Sequence, residues 1–177
     1  EARAVIESLM AVGLLLCLTA LADLRRTVPV LRNVFVGLAL AGAASITVVN
    51  RSRQRAEPLV KLLAEKTKAK STFVEWPKTY AIPTGTDIIV NATSIGLGDG
   101  NRPLDIDLAT LHPVHIVADV IVDPPDTRFL RDARSRGCKV IDGLGMLINQ
   151  GVIGVKYWTG LDADPAVMRK KLEEIFG

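Results

Sequence analysis

The chain is poor in the residues that staple, ligate or stack: its 177 residues include two Cys, two His, two Trp, two Tyr and four Phe. Cys17 and Cys138 lie far apart in apolar or helix-end contexts without C-x-x-C spacing. Both are therefore expected to be reduced thiols, which points to the cytoplasm. His112 and His115 in "LHPVHIV" have no acidic or cysteine partner at ligand spacing, so they are read as loop and strand-edge residues rather than metal ligands or catalysts. Aromatics make up 5% and the basic residues behind the net charge of +3 are dispersed, which argues against a nucleic-acid surface and suits a local anion site better. The uncharged apolar run Leu9 to Ala22 is shorter than the about 20 apolar residues of a membrane helix. It also follows Glu1 and Glu7, where a signal peptide would carry positive charge, so no membrane role is expected. Repeats, low-complexity tracts and a G-x-G-x-x-G loop are all missing.

What remains is the composition of a globular α/β protein, 49% hydrophobic and 23% charged, of a length that fits one domain spanning residues 1–177. From Ser45 onward, short β-branched runs alternate with helical segments. Strands are predicted at Ile46–Val49, Thr72–Glu75, Asp87–Asn91, His115–Val120 and Lys139–Ile141. Helices are predicted at Arg53–Lys66, Asp126–Arg136, Gly143–Trp158 and Asp164–Ile175, the last with Asp164 as N-cap and Pro165 at its first position. This alternation implies a Rossmann-like, doubly wound and mostly parallel sheet with helices on both faces. Gly96 to Leu108 reads as a surface loop of the kind that borders a ligand crevice.

In such a sheet the residue ending the second strand meets the adenosine ribose of a dinucleotide. A carboxylate there suits NAD, and an arginine suits the 2′-phosphate of NADP. "SITVVNRSRQRAEPL" is of the arginine type. Arg51 can offer a bidentate fork, Ser52 a hydroxyl and a helix cap, and Arg55 a second cation one turn on, beside the positive N-terminus of the following helix. A solvated helix start is the alternative, although basic residues in a first turn oppose the macrodipole.

"VNRSRQRA", "DIIVNATSIGL", "IVADVIVDPP" and "DGLGMLINQGV" occur in the order and at the spacing of the shikimate dehydrogenase cofactor domain, and the chain resembles that family over Gly42 to Gly177. The resemblance implies NADP-dependent interconversion of 3-dehydroshikimate and shikimate, in the pathway through chorismate to aromatic amino acids; related members use quinate or NAD. It makes Asn50, Arg51, Ser52 and Arg55 the 2′-phosphate clamp, and Asn91, Ala92, Thr93 and Ser94 the strand-end segment lining the cofactor. It places Val120 at the nicotinamide amide, Gly143 and Met146 around the nicotinamide, and Gln150 at the substrate hydroxyls. For Gly143 the residue type adds a reason of its own, since a helix start without a Cβ admits a ligand close to the backbone. The expected partner is thus a small molecule, and the oligomeric state stays open, with a homodimer among the alternatives.

Three departures qualify the resemblance. Residues 1–41 are atypical: the phosphate-loop region, Ala22 to Ser45, has no glycine turn. The first strand is predicted at Leu14–Leu18, followed by a helix at Pro29–Ala41 that is entered from Arg25-Arg26-Thr27 and ended by Gly42. Val122 stands where the family usually has a tyrosine whose hydroxyl helps hold the substrate carboxylate, so the substrate differs or binds more weakly. No segment resembles the substrate domain with its proton-transferring lysine and aspartate, so this chain alone is expected to turn over poorly. A catalytically inactive, nucleotide-binding homologue is the competing expectation.

Overall fold

The computed structural model describes residues 35 and 37–176. The predicted strand at Leu14–Leu18, the Arg25-Arg26-Thr27 entry, the run Leu9 to Ala22 and Cys17 lie outside them. The chain divides after Pro77 into two compact units.

In the first unit, residues 37–40 are helical, and Gly42 ends the helix at φ +96°, where a side chain would be strained. The Ala43 amide donates back to the Leu38 carbonyl at 3.1 Å, closing the turn. Strand β1 (Ser45–Asn50) and strand β2 (Lys70–Glu75) pair in parallel, joined by helix α1 (Arg53–Lys66). β1 is not the continuously buried strand its β-branched run suggests. Ile46 and Val48 are buried while Ser45 and Thr47 are exposed, and Thr47 shares a hydroxyl hydrogen bond with Thr72 on β2. Ile46 and Val48 pack with Ala39, Ala56, Leu63 and Ala69 as the core of this unit. Pro58 sits inside α1, on its exposed side.

In the second unit, strand β3 (Ile88–Asn91), strand β4 (Ile116–Asp119) and strand β5 (Lys139–Ile141) form a parallel sheet in that order. The β3–β4 connection has no α-helix; a 3₁₀ turn at Leu108–Thr110 and the predicted surface loop fill it. Helix α2 (Arg128–Ser135) connects β4 to β5, burying Phe129, Leu130 and Ala133 and turning its arginines outward. It starts two residues later than predicted because Thr127 is its N-cap. Helix α3 (Gly143–Thr159) ends on Gly160 at φ +73°, and helix α4 (Pro165–Phe176) follows, with the Asp164 carboxylate accepting from the Ala166 amide at 2.8 Å. Among the described residues no helix is long and apolar enough to cross a membrane.

Candidate functional site

The arginine segment occupies the end of β1 and the start of α1. Asn50 accepts from the Ser52 amide through its side chain at 2.9 Å, a local turn that directs the chain into the helix. Ser52 stands at the N-cap, as expected, but its hydroxyl makes no capping hydrogen bond; the Asn50 turn shapes the helix entry instead. The first turn of α1 holds no acidic residue, so its positive end is not offset there. Arg51 and Arg55 are exposed, and the Arg51 guanidinium stands over the Trp76 ring, 5.8 Å from its centroid. Arg53 lies over Phe73 at 4.8 Å and pairs with Glu57 at 3.3 Å. Arg51 and Arg55 are thus both exposed at this junction, while Arg53 is engaged by Glu57.

The second unit gathers Asn91, Val120 and Gly143 at the carboxyl end of its sheet. Asn91 and Asp119 are register partners that end β3 and β4. The Asn91 amide nitrogen donates to both Asp119 oxygens and to the Ile95 carbonyl, each at 3.1 Å, and its oxygen accepts from the Thr93 amide and hydroxyl at 3.1 and 2.8 Å. Both ends of the Asn91 side chain are therefore engaged in shaping the segment 91–95. Within that segment Ser94 is exposed, while Ala92 and Thr93 are half-buried. Val120 is tied to β3 by its amide, which donates to the Asn91 carbonyl at 3.1 Å.

Gly143 is required by crowding within the protein. A Cβ there would lie 2.1 Å from the Ile121 carbonyl oxygen, so the missing side chain lets α3 start against the backbone that follows β4. Met146 is buried on α3. Gln150, one turn further, is 4% exposed, and its Nε2 is a buried donor with no hydrogen-bond partner among the described residues.

Sequence reading passed over four side chains here. Asp119 is fully buried and accepts from the Ile121 amide at 3.0 Å and the Thr127 hydroxyl at 2.7 Å, besides Asn91. Burial pushes its carboxyl above the usual range, while its hydrogen-bond donors oppose the shift. Asp142 caps α3 by accepting from the Gly145 amide at 2.9 Å, and Arg169 of α4 pairs with it at 3.0 Å. An aspartate closing an otherwise apolar strand, as in "IVAD", is the signal that was available for Asp119.

The histidines pair with each other. The buried His115 accepts from the His112 amide through Nδ1 at 3.1 Å, and burial lowers its pKa. Cys138 is a free, buried thiol whose pKa is raised by burial, and its Sγ donates to the His112 carbonyl. Among the described residues no group of His, Cys, Asp or Glu could hold a metal ion.

Comparison with known proteins places this geometry. Residues 143–173, most of the α3–α4 hairpin, match the family model of the shikimate 5′-dehydrogenase C-terminal domain. A curated shikimate dehydrogenase (NADP(+)) of Desulforamulus reducens is 36% identical over 146 residues, covering 81% of this chain and 50% of that protein. One from Rhodospirillum rubrum is 38% identical, covering 73% and 46%. The chain belongs to the shikimate dehydrogenase family. It spans about half the length of the curated relatives it matches.

Solved structures extend the family assignment to the fold. Shikimate 5-dehydrogenase from Thermus thermophilus, in complex with NADP(H) and shikimate, superposes with a TM-score of 0.67 at 31% identity, covering 82% of this chain and 51% of that one. A ligand-free 5-ketofructose reductase of a Gluconobacter species superposes with a TM-score of 0.79 at 52% identity, covering 82% and 52%. With parallel strands throughout both sheets, this family member has the Rossmann-like α/β fold.

Proposed function

We propose that the chain is the cofactor-binding part of an NADP(H)-dependent oxidoreductase of the shikimate dehydrogenase type, interconverting 3-dehydroshikimate and shikimate on the way to aromatic amino acids. The observation that carries the reading is the exposed arginine pair, Arg51 and Arg55, at the β1–α1 junction without a carboxylate in the helix's first turn. Curated relatives named for NADP(+) support it.

The residues fit the cofactor. Arg51 forks onto the 2′-phosphate, with Arg55, Ser52 and the α1 N-terminus adding donors and positive potential, and Asn50 shaping the turn that presents them. Ala92, Thr93 and Ser94, with Val120, Gly143 and Met146, take the nicotinamide side. NADPH supplies a hydride for the substrate carbonyl carbon; the protein's part is binding and orientation. Gln150 orients the substrate, and its buried Nε2, without a partner among the described residues, is a donor in need of an acceptor oxygen.

A second reading concerns the substrate alone. Identity of 52% with a 5-ketofructose reductase, together with Val122 in place of a hydroxyl donor, favours a polyhydroxy ketone lacking a carboxylate.

Titration of the purified chain with NADPH and NADH tests the cofactor, with NADPH expected to bind the tighter. In Arg51→Ala the NADPH Kd should rise about 10- to 100-fold, as for a lost hydrogen bond to a charged group, while NADH binding stays put. Equal wild-type affinity for the two nucleotides defeats the role of Arg51, and absence of binding at millimolar concentration defeats the cofactor assignment. Supplying a family substrate domain in trans and comparing shikimate oxidation with 5-ketofructose reduction separates the two substrate readings.

A further inference from the structure

Asp119 is the most completely buried charged residue among the described residues, with zero exposure, and among them no arginine, lysine or histidine hydrogen-bonds to it. A carboxylate in such a place is costly unless donors surround it. Asp119 has them. Oδ1 accepts from the Ile121 amide at 3.0 Å, Oδ2 from the Thr127 hydroxyl at 2.7 Å, and both oxygens from Asn91 Nδ2 at 3.1 Å.

Each donor belongs to a different segment. Asn91 ends β3, and its own oxygen accepts from the Thr93 amide, which fixes the bend of 91–95. Ile121 follows β4, and its carbonyl is the atom against which Gly143 starts α3. Thr127 caps α2, accepting from the Leu130 amide at 3.4 Å while donating to Asp119. One acceptor-only side chain therefore sets three chain segments at the carboxyl end of the sheet. An asparagine there would turn an NH₂ toward one of these donors, and no isosteric group replaces the carboxylate.

We infer that Asp119 is a positioning residue for cofactor binding: through Asn91 and Ile121 it holds the segments 92–94 and 120–122 in the conformation that receives the nicotinamide half of the nucleotide. Thr127 is its second support, fixing the carboxylate from α2. The inference rests on the proposed cofactor reading and deepens it, since nothing in the relatives' names gives Asp119 a part.

The test is fragment binding with Asp119→Asn and Thr127→Val. The purified chain is titrated with NADPH, with reduced nicotinamide mononucleotide, and with 2′,5′-ADP, which probes the Asn50–Arg55 segment alone. Asp119→Asn should raise the Kd for NADPH and for the mononucleotide about tenfold, as expected for a buried hydrogen bond to a charged group. Its Kd for 2′,5′-ADP should stay within about twofold. Thr127→Val should show the same selectivity at a smaller size, and it carries the test if Asp119→Asn does not fold. Unchanged mononucleotide affinity in a folded variant, or equal losses for the mononucleotide and 2′,5′-ADP, overturns the inference, because the latter is what plain destabilisation gives. Failure of the wild-type chain to bind NADPH defeats the cofactor reading instead. Amide exchange at Thr93 then decides the positioning: faster exchange in Thr127→Val supports it, and unaltered exchange overturns it.

Discussion

Arg169 reaches from α4 to the capping residue of α3. Its Nη2 donates to Asp142 Oδ1 at 3.0 Å and to Oδ2 at 3.2 Å, while the same Oδ1 accepts from the Gly145 amide at 2.9 Å. A cap that is also an ion-pair acceptor loses freedom to leave the helix, which strengthens the first turn of α3. The pair is about one-third exposed, so solvent screening limits its worth. Replacing Arg169 by Met should cost about 1 kcal/mol of stability, measured by denaturant unfolding, with a smaller loss at high salt. A loss insensitive to salt would mean that packing of the arginine stem, not the ion pair, is what matters.

Gly143 tolerates no side chain. With the Ile121 carbonyl oxygen 2.1 Å from the Cβ position, Gly143→Ala must shift backbone, because neither partner is a flexible side-chain end. The expected cost is about 3 kcal/mol, the upper end for overpacking, read as a lower unfolding midpoint. Gly160→Ala is the contrast: open space surrounds it, and only its φ of +73° opposes the change, at about 1 kcal/mol.

Asp119 predicts a pH dependence with a definite sign. Its folded-state carboxyl is raised, chiefly by burial, above the unfolded value near 3.8. The stability it contributes is therefore complete below that unfolded value and is lost as pH rises through the folded one. The stability difference between the wild-type chain and Asp119→Asn should accordingly shrink as pH rises through the acidic range above 3.8, whatever constant penalty the asparagine adds. Unfolding curves of both proteins over that range check it; a difference independent of pH would show that the carboxyl titrates alike in both states.

Gln150→Leu should leave the fold intact and weaken substrate binding. A buried donor without a protein partner costs about 1–3 kcal/mol, so its removal is expected to be neutral or stabilising in a thermal melt. With a substrate domain supplied in trans, the same change should raise the substrate KM about tenfold. Strong destabilisation with unchanged KM would make Gln150 a structural residue.

Much of the architecture was legible in residue patterns because the signals are local. The β-branched runs and helical periods located the strands and helices of residues 45–176 to within a few residues, and α1 and β5 at their observed ends. Asp164 with Pro165 marked the start of α4, and Gly42 the end of the helix before β1, since capping and left-handed φ depend on neighbouring residues only. The arginine cluster after β1 was visible for the same reason. That Arg53 pairs with Glu57 required side-chain placement.

The sequence alone determined the order of elements, the parallel α/β class and the motifs that place the chain in its family, all carried by short-range periodicity and residue type. Only the tertiary structure decided which polar groups meet. Asp119 lies 28 residues from Asn91, and Arg169 27 residues from Asp142; such pairs form through strand register and helix packing, which no local pattern encodes. The same holds for Gly143, whose need for a bare Cα comes from the carbonyl of Ile121 across the loop that joins β4 to α2.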